Sequence, residues 1–563
     1  MSGRGRGRGR GSGDASVVVP VRGKGMDGYN GRGREIGDVP SLARPPVSKE
    51  KRKEGRRQKQ ADAVQKKADA EVEYFTQCQR EAADGRSRAP PGSPFLNAGG
   101  VGGGAGINFD SYDKIEVDVR GPGAADVPSL SDFTALRSVP PFLTSNIQRM
   151  GYRRPTPIQK HAVPHALAGR DLMCCAQTGS GKTFAFLLPV AAALGSGKGG
   201  GGYVAPPGSP AAPGCVVMAP TRELAAQISS EAEKLLYGSA LRPVVVYGGA
   251  DQRRQVRELA AGADVVVATP GRLTDFLERG IVSLCRVRFL VLDEADRMLD
   301  MGFEPQIRRI VEKADMPRKA QRQTLLFSAT FAPDVQKLAA NFLNPYVWIA
   351  VGRVGSTVEN IRQRLVFAQP DKRHKLVLVV RALSDTDGRT LVFVQKKRTA
   401  TWLKNMLKRG GPADPRSPDE RFPPVVAEDI HGDRSQSQRE SALRKFREGS
   451  VRVLVATDVA ARGLDVQGVS HVVNMDLPVS KDDFDSYVHR IGTTGRAGHP
   501  GLATSLYVPG FVAKVGNGPI ARSLVAQMKE TKSEIPEWFA DLPECRIGKA
   551  PGGGGGRGDK QFG

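Results

Sequence analysis

The stretch Phe289-Leu290-Val291-Leu292-Asp293-Glu294-Ala295-Asp296 decides the fold, because four apolar residues run directly into three carboxylates. A short apolar run bounded by polar residues is typical of a strand that is buried on both faces of a parallel sheet. In open α/β sheets, ligands bind beyond the carboxyl ends of the strands, which is where these carboxylates would stand. The stretch therefore predicts an α/β fold with chemistry at a strand end.

Similar apolar runs recur on both sides of this stretch and alternate with helix-length segments. They lie at 172–175, 215–218, 244–247, 265–268 and 325–327 in the first half, and at 391–394, 425–430, 451–456, 472–475 and 504–508 in the second. They are enough for two parallel sheets covered by helices. We expect domains at 107–350 and 361–522, a linker at 351–360, and a C-terminal extension with a Gly-rich tail at 523–563.

The amino-terminal part of the chain has a different composition. Arg-Gly repeats open it, a basic run follows at 49–67, and a Gly cluster stands at 99–106. Such a segment buries too little apolar surface to offset the entropy of ordering, so we expect a disordered basic region at 1–106, with a transient charged helix at 50–79. The Pro/Gly-rich stretches 195–214 and 410–424 are expected to be mobile surface loops.

The charge and the cysteines narrow the class of protein. A formal net charge of +24 over 563 residues favours polyanionic partners, nucleic acid first. The six cysteines include no CxxC pair and are interpreted as small buried hydrophobic residues. The longest apolar stretch, 184–194, is too short to cross a membrane, so we expect a soluble intracellular protein without a membrane partner.

A glycine-containing loop directly follows the run at 172–175. It matches the phosphate-binding pattern GxxxxGK[ST], except that an alanine replaces the first glycine. Its two glycines let backbone N–H groups turn toward phosphates, and the helix that begins near the lysine adds positive charge. The loop is Ala176-Gln177-Thr178-Gly179-Ser180-Gly181-Lys182-Thr183.

The loop and the acidic stretch together predict nucleotide hydrolysis. Lys182 is expected to reach the β- and γ-phosphates, and Thr183 and Asp293 to bind Mg²⁺, a hard cation that prefers oxygen ligands. Glu294 is placed to orient or deprotonate the attacking water. A solvated acidic turn without a metal would be credible for the acidic stretch alone, but not beside the phosphate loop.

With Gly151-Tyr152-Arg153-Arg154-Pro155-Thr156-Pro157-Ile158-Gln159 upstream, the sequence resembles the DEAD-box ATP-dependent RNA helicases from about Phe109 to Trp538. The resemblance implies two tandem RecA-like domains, ATP and Mg²⁺ as cofactors, and RNA as a partner. It implies that Tyr152 stacks on adenine, that Gln159 reads the edge of the base, and that Phe133 supports the site.

The resemblance also assigns roles along the rest of the chain. It implies coupling between the acidic stretch and RNA binding through Asp296, Ser328, Thr330, His489 and Arg490, contacts of Gly463 and Asp465 with the nucleotide, and an arginine finger at Arg496. RNA contacts are implied for Pro220, Thr221, Arg222, Gly248, Gly249, Thr269, Pro270, Gly271 and Arg272 in the first domain, and for Gln395, Gly432, Arg439 and Thr457 in the second.

Thr493 departs from the family pattern, because it stands where the family usually has an arginine finger. An arginine finger is worth roughly 10³–10⁵ in rate in other enzymes, so we expect an active but slow ATPase. Arg496 and Arg490 are retained. Gln395 also replaces an acidic residue that is common at its position.

The flanking segments 107–115, 302–308, 353–357 and 535–538 resemble the Ded-type branch, which is associated with translation initiation and messenger RNA remodelling. Together with the family resemblance, it implies local, non-processive unwinding or remodelling of RNA, and binding of single-stranded or short duplex RNA with little sequence specificity. It also implies translation-initiation or ribonucleoprotein partners, and a cytoplasmic and nuclear location. Three alternatives stay open: an ATP-gated RNA clamp or scaffold, a DNA-directed helicase or translocase, and a plain RNA-binding protein.

Overall fold

The computed structural model describes residues 66, 69–70, 72–81, 83, 115–136, 139–177, 179–196, 202–352, 361–412, 421–458, 468–481, 483–495 and 500–546. All of them belong to one compact unit, residues 65–563. Two large sheets organise these residues, as the sequence predicts. No helix among the described residues is both long enough and apolar enough to cross a membrane.

The first sheet has eight strands in the order β1-β8-β2-β7-β6-β3-β5-β4, and only β1 runs antiparallel to its neighbour. The strands are β1 Val117–Arg120, β2 Asp171–Cys175, β3 Cys215–Met218, β4 Pro243–Val246, β5 Val265–Ala268, β6 Phe289–Leu292, β7 Gln323–Ser328 and β8 Tyr346–Val351. Its helices are Pro141–Arg149, Pro157–Leu167, Lys182–Gly195, Arg222–Leu235, Gln252–Ala260, Pro270–Glu278, Ala295–Asp300, Glu304–Arg308 and Pro333–Phe342.

The acidic stretch begins on β6, at the centre of this sheet. Phe289 and Val291 pack into the core on one face, and Leu290 and Leu292 pack into the core on the other. Because successive side chains of a strand point to opposite faces, a strand between two cores must be apolar throughout. This explains why the run has no polar alternation.

The second sheet has six strands, all parallel, in the order β13-β14-β10-β15-β16-β9. They are β9 Ile361–Phe367, β10 Arg389–Phe393, β13 Ala427–Ile430, β14 Val453–Ala456, β15 Val469–Asn474 and β16 Gly501–Tyr507, and a separate short hairpin pairs β11 Gly411–Pro412 with β12 Arg421–Phe422. The helices are Lys372–Leu383, Lys397–Arg409, Gln436–Arg447, Phe484–Ile491, Ala521–Glu530 and Glu537–Ala540.

Three strands of the two large sheets were missed by the sequence analysis: β1, β8 and β9. The short hairpin of β11 and β12 was also missed, because 410–424 was expected to be a loop. Strands β1 and β9 are edge strands, and β9 alternates buried Ile361 and Leu365 with exposed Arg362. Its basic residues conceal the apolar period. The linker expected at 351–360 falls largely on 353–360, outside the described residues.

The amino-terminal region differs from the expected disorder at one place. Residues 72–81 form a helix, and Phe75 and Cys78 are buried in the core of the first domain. Gln79 holds the helix to the 195–214 stretch, donating to Ser209 O at 2.8 Å and accepting from Gly208 N at 3.0 Å. The correction has a physical reason, because a surface distant in sequence buries the few apolar residues of a charged segment.

The expectation of a mobile loop at 195–214 is also corrected, because residues from 202 onward make defined packing contacts. Ala211 is buried and bridges to Val282, and the Arg286 guanidinium lies 3.4 Å from the centre of the Tyr203 ring. Of the cysteines, Cys285 is exposed, contrary to the expectation.

Candidate nucleotide site and nucleic-acid interface

The phosphate loop joins the carboxyl end of β2 to the helix Lys182–Gly195. Gly181 has φ +91°, and a Cβ atom there would stand 2.5 Å from Gln159 Nε2, so the position requires glycine. Lys182 is the first helical residue and is buried, and its Nζ donates to Ala176 O at 2.9 Å. Thr178 lies outside the described residues.

Asp293 and Glu294 stand at the carboxyl end of β6, beside this loop. Both carboxyl groups are buried, and burial raises the pKa of Asp293 and raises that of Glu294 to about 7. The positive charge of Lys182 opposes the rise at both positions. Two desolvated acids beside one lysine form an oxygen-rich, electron-rich pocket that suits a divalent cation carrying phosphates.

Glu294 has a strained backbone, with φ +52° and ψ +53°, in the left-handed region that non-glycine residues rarely occupy. Its N–H donates to Asp293 Oδ1 at 3.0 Å, and the helix Ala295–Asp300 begins directly after it. Strain of about 1–3 kcal/mol persists only where the surroundings impose it, and it clusters at functional sites. The left-handed turn at Glu294 therefore lies where the sequence predicts the chemistry, between β6 and the helix Ala295–Asp300.

An aromatic cluster lies next to the loop. Tyr152 stacks on Phe184 with a centroid distance of 4.2 Å and an interplanar angle of 29°, and Phe133 meets Phe184 edge-on at 5.4 Å. The sequence analysis named Tyr152 and Phe133 but missed Phe184. An aromatic residue directly after the GKT of a phosphate loop is the signal that could have identified it.

Gln159 ties the 151–159 stretch to the phosphate loop. Its Oε1 accepts the N–H of Thr156 at 2.9 Å, and its Nε2 donates to Gly181 O at 3.1 Å. The Thr156 hydroxyl donates to Ser180 O at 2.7 Å. The structure thus places the buried Gln159 amide against the loop, and Thr156 is a second residue that the sequence analysis missed.

Asp296 connects the acidic stretch to the end of β7 and to the second domain. Its Oδ2 accepts the backbone N–H groups of Ala329 at 3.1 Å and Thr330 at 3.0 Å. His489 Nε2, from the second domain, lies 3.7 Å from the same oxygen. Burial alone would raise the pKa of Asp296, but His489 and other nearby positive charges outweigh it and lower the pKa.

The tripeptide after β7 acts mainly through its backbone. Ser328 and Thr330 were both expected to couple to the acidic stretch, and the contact is made by the Ala329 and Thr330 amides. The Ser328 hydroxyl accepts from Thr330 N at 3.3 Å and so supports the turn.

Arg490 is committed to the interior of the second domain. Its guanidinium donates twice to Asp458, at 2.5 Å each, and also to Asp476 O at 2.6 Å, and it lies 5.2 Å from the centre of the Phe393 ring. Thr493 is buried and donates to Arg490 O at 2.7 Å. These Arg490 donors are therefore used within the second domain.

Three further nucleotide residues, Gly463, Asp465 and Arg496, lie outside the described residues, so the structure places none of them.

The RNA motifs of the first domain follow β3, β4 and β5, which are adjacent and parallel. Thr221 is the N-cap of Arg222–Leu235 and accepts from Leu224 N at 3.2 Å, with Pro220 before it. Gly249 has φ +78°, and any Cβ there would collide with the Arg222 guanidinium, while Gly248 precedes it. Thr269 is the N-cap of the helix that contains Pro270, Gly271 and Arg272. The structure thus brings all these residues to one edge.

The RNA residues expected in the second domain follow β10, β13 and β14. Gln395 Nε2 donates to Leu477 O at 3.0 Å, Gly432 is exposed, and Thr457 N donates to Ile430 O at 3.3 Å. Arg439 differs from the expectation, because it is buried and its Nη2 lies 2.7 Å from Oε1 of Glu223 in the first domain. It therefore bridges the two domains.

Comparison with known proteins agrees with this geometry. A family model described as DEAD/DEAH box helicase matches residues 156–338, and one described as helicase conserved C-terminal domain matches residues 371–498. The DEAD-box helicase Mss116 bound to ssRNA and UDP-BeF is 26% identical, with 73% of this chain and 82% of that chain covered and a TM-score of 0.60.

Two further solved structures are similar. Saccharomyces cerevisiae Dbp5 bound to RNA and ADP BeF3 is 29% identical, with 72% of this chain and 95% of that chain covered and a TM-score of 0.58. A DEAD box protein from the hyperthermophile Methanococcus jannaschii is 31% identical, with 72% and 99% covered and a TM-score of 0.40.

Two parallel-sheet domains, a phosphate loop and paired carboxylates define a nucleotide-driven helicase with tandem RecA-like domains. The chain belongs to the DEAD-box family of RNA helicases. Binding of nucleotide and of RNA follows from that membership, as does ATP-driven action on RNA.

Proposed function

We propose that this protein is an RNA-stimulated ATPase that remodels RNA locally and without long-range translocation. The observation that carries the proposal is the junction at Asp296. One carboxylate oxygen contacts the backbone after β7, where it accepts from Ala329 and Thr330, and it also faces His489 of the second domain. The acidic stretch is thereby linked both to the end of β7 and to domain closure.

The chain's own residues fit a magnesium-bound triphosphate. Thr183 and Asp293 would hold Mg²⁺, and Lys182 would hold the β- and γ-phosphates. When bound, the metal neutralises charge on the transferring phosphoryl group. Glu294, which directly follows Asp293, would hold the attacking water.

RNA binding is proposed to be largely independent of sequence. The motif residues at the strand ends offer hydroxyls, guanidinium groups and backbone N–H groups, which suit phosphate and sugar better than base edges. Because nucleotide and RNA would each bind both domains, each would favour closure, and their affinities would be coupled reciprocally. A strand held in a bent conformation cannot stay in a regular duplex, so a short duplex would separate locally.

A second candidate function is an ATP-gated RNA clamp with weak hydrolysis. The observation that favours it concerns Thr493. The Thr493 hydroxyl donates to Arg490 O, and the side chain offers no cation to the phosphates. A clamp would hold RNA in an ATP-dependent manner while turning over slowly and separating strands poorly.

The test is ATP hydrolysis by the purified protein with and without single-stranded RNA, beside unwinding of a short duplex. RNA should stimulate ATP hydrolysis, and DNA of the same sequence should stimulate it poorly. Glu294→Gln should abolish hydrolysis while RNA binding is kept. Absence of RNA stimulation, or equal stimulation by DNA, would contradict the proposal. Loss of RNA binding together with hydrolysis in Glu294→Gln would also contradict it.

The variant Thr493→Arg distinguishes the helicase from the clamp. If the protein is a clamp whose hydrolysis Thr493 limits, restoring a finger should raise RNA-stimulated turnover by at least about tenfold, a small part of the 10³–10⁵ that a finger supplies elsewhere. Thr493→Ser, which keeps the hydroxyl, is the matched control. Unchanged turnover in Thr493→Arg would show that the threonine does not limit hydrolysis.

We further propose messenger RNA as the substrate, translation-initiation or ribonucleoprotein components as partners, and a location in cytoplasm and nucleus. The support is the resemblance of the flanks at 107–115, 302–308 and 535–538 to the Ded-type branch. Crosslinking in cells, followed by sequencing of the bound RNA, tests this. Recovery of mainly ribosomal or small nuclear RNA would contradict it.

A further inference from the structure

A buried carboxylate organises one corner of the second domain. Asp429 is in β13 and is almost fully buried, and four side chains converge on it. Lys404 Nζ donates to Oδ1 at 2.9 Å, and Arg434 Nη2 donates to Oδ2 at 2.7 Å. The Thr401 hydroxyl donates to Oδ2 at 2.9 Å, and His431 Nε2 lies 3.2 Å from the same oxygen.

The protonation of His431 follows from its other contact. Its Nδ1 accepts the N–H of Asp433 at 3.3 Å, so the ring proton of the neutral histidine is on Nε2, which faces Asp429 and Thr401. Burial lowers the pKa of His431, which keeps the ring neutral. Asp429 is thus a carboxylate with two cationic partners and two neutral donors, a set that offsets the cost of burying the charge.

These contacts close a loop over the carboxylate. His431 and Arg434 stand at the two ends of residues 431–434, and both side chains turn inward to the same oxygen of Asp429. Gly432 and Asp433 between them are exposed. Lys397 comes from the helix that also carries Thr401 and Lys404, and its Nζ lies 2.6 Å from Asp433 Oδ1.

Gly432 sits in a defined position as a result. A Cβ atom on it would stand 3.3 Å from Lys397 Cε, so the helix is close against the loop. Fixing residues 431 and 434 removes most of the freedom of the two residues between them. A backbone group that is fixed before binding loses less entropy when it meets its ligand.

We propose that Asp429 is a positioning residue for RNA affinity, which holds the 431–434 loop so that the Gly432 backbone can meet an RNA phosphate. The inference rests on the proposed function, because the RNA contact of Gly432 is itself an expectation. A carboxylate suits this role because its two oxygens accept from all four donors at once. An amide at this position would turn an N–H₂ group toward Lys404 or Arg434.

The experiment compares Asp429→Asn with the wild type in RNA-stimulated ATPase assays on the full chain. The RNA concentration that half-saturates the ATPase should rise about tenfold, the equivalent of one lost hydrogen bond to a charged group. The KM for ATP and the RNA-independent turnover should not change. A merely structural role would lower the active fraction, and so turnover, without moving the half-saturating RNA concentration.

Arg434→Gln is a milder second variant, should Asp429→Asn fail to fold. It removes one end of the loop's anchorage and should shift RNA half-saturation in the same direction by a smaller factor. Lys408→Ala is the matched control, because Lys408 lies on the same helix and pairs with the neighbouring Glu428 on the exposed side. It should leave RNA half-saturation unchanged.

An unchanged RNA half-saturation in folded Asp429→Asn, or in Arg434→Gln, would overturn the proposal while leaving the proposed function intact. A wild-type protein whose ATPase does not respond to RNA would overturn both. A shift in Lys408→Ala equal to that in Arg434→Gln would also overturn the proposal, because it would show that any loss of positive charge on this helix and its neighbourhood weakens RNA binding.

Discussion

The ion pair between Glu223 and Arg439 yields a prediction about RNA affinity. Whether removing the Glu223 charge lowers or raises that affinity depends on the role of Arg439. The pair joins the two domains at 2.7 Å, and the two side chains are only 4% and 10% exposed. Burial lowers the pKa of Arg439, and Glu223 opposes that effect. If the pair holds the closed form together, Glu223→Gln should weaken ATP-dependent RNA binding.

The magnitude follows from the burial. Both partners regain water when the domains separate, so the variant loses the net strength of a charge-assisted contact, about 1.5–3 kcal/mol. RNA affinity in the presence of a non-hydrolysable ATP analogue should therefore fall by about 10- to 100-fold. RNA affinity without nucleotide should not change, because the open form does not contain the pair.

The assay is a titration of labelled RNA with and without the nucleotide analogue, by fluorescence anisotropy at one fixed salt concentration. Lys337→Gln is the matched control, because Lys337 pairs with Asp334 at 2.9 Å on an exposed helix surface within the first domain. An exposed pair of this kind contributes little to stability, and nothing to closure.

The opposite sign would refute the reasoning. If Arg439 serves RNA phosphate directly, as its position in the sequence suggests, removing the competing carboxylate of Glu223 should tighten RNA binding. Tighter binding, or an equal loss of affinity with and without nucleotide, would show that the pair does not hold the domains together. A double-mutant cycle with Arg439→Gln then measures the coupling energy directly.

Three further predictions concern buried groups. Phe75→Ala should weaken the packing of helix 72–81 on the first domain by about 3 kcal/mol, so proteolysis of this region should become faster. Val72→Ala, at an exposed position, should leave the rate of proteolysis unchanged. Equal proteolysis of the two variants would contradict the packing. Hydrogen bonds hold the pKa of Asp429 near 2 against the opposing effect of burial, compared with an ordinary value of 3.8, so the carboxylate stabilises the fold above about pH 4 and loses this effect as the pH falls through 2. After allowance for solvent screening, Asp429→Asn should be less stable in urea by about 1–2 kcal/mol at pH 7, with a difference that shrinks toward pH 2; a difference independent of pH would contradict this. Arg490→Lys should destabilise the second domain by about 2–3 kcal/mol, because one ammonium cannot replace the donors that the buried Arg490 guanidinium gives to partly buried Asp458 and to Asp476 O. Unchanged urea unfolding would assign Arg490 a different role.

The central strands were predictable from the sequence because their environment is uniform. A strand such as β6, between two cores, must be apolar at every position, so its residues alone identify it. Strand β9 was not identified, because Arg362 and Arg364 interrupt its apolar residues on the face that is not buried. The helix at 72–81 was missed for a different reason: Phe75 and Cys78 are scattered in a charged segment, and the surface that buries them is formed more than a hundred residues later.

The site divides in the same way. The phosphate loop and the acidic stretch depend on local backbone geometry and on the residue types that allow it. Gly181, Lys182 and Asp293 could therefore be identified from their immediate neighbours in the sequence. The role of Arg490 depends on Asp458, over thirty residues away, and no local pattern distinguishes a buried arginine from one that faces a ligand. Asp429 carried no signal in the sequence, because its partners meet only after three elements have packed.

The attachment of residues 72–81 through Gln79 has a practical consequence for anyone preparing this enzyme. A shortened fragment that begins after residue 81 would expose the apolar surface of the first domain that Phe75 and Cys78 cover. It would also remove the hydrogen bonds from Gln79 to the neighbouring 202–213 segment. Such a fragment should aggregate at concentrations at which the longer chain stays in solution. Poor behaviour of a trimmed preparation would then reflect where it was cut, not any defect in the catalytic machinery.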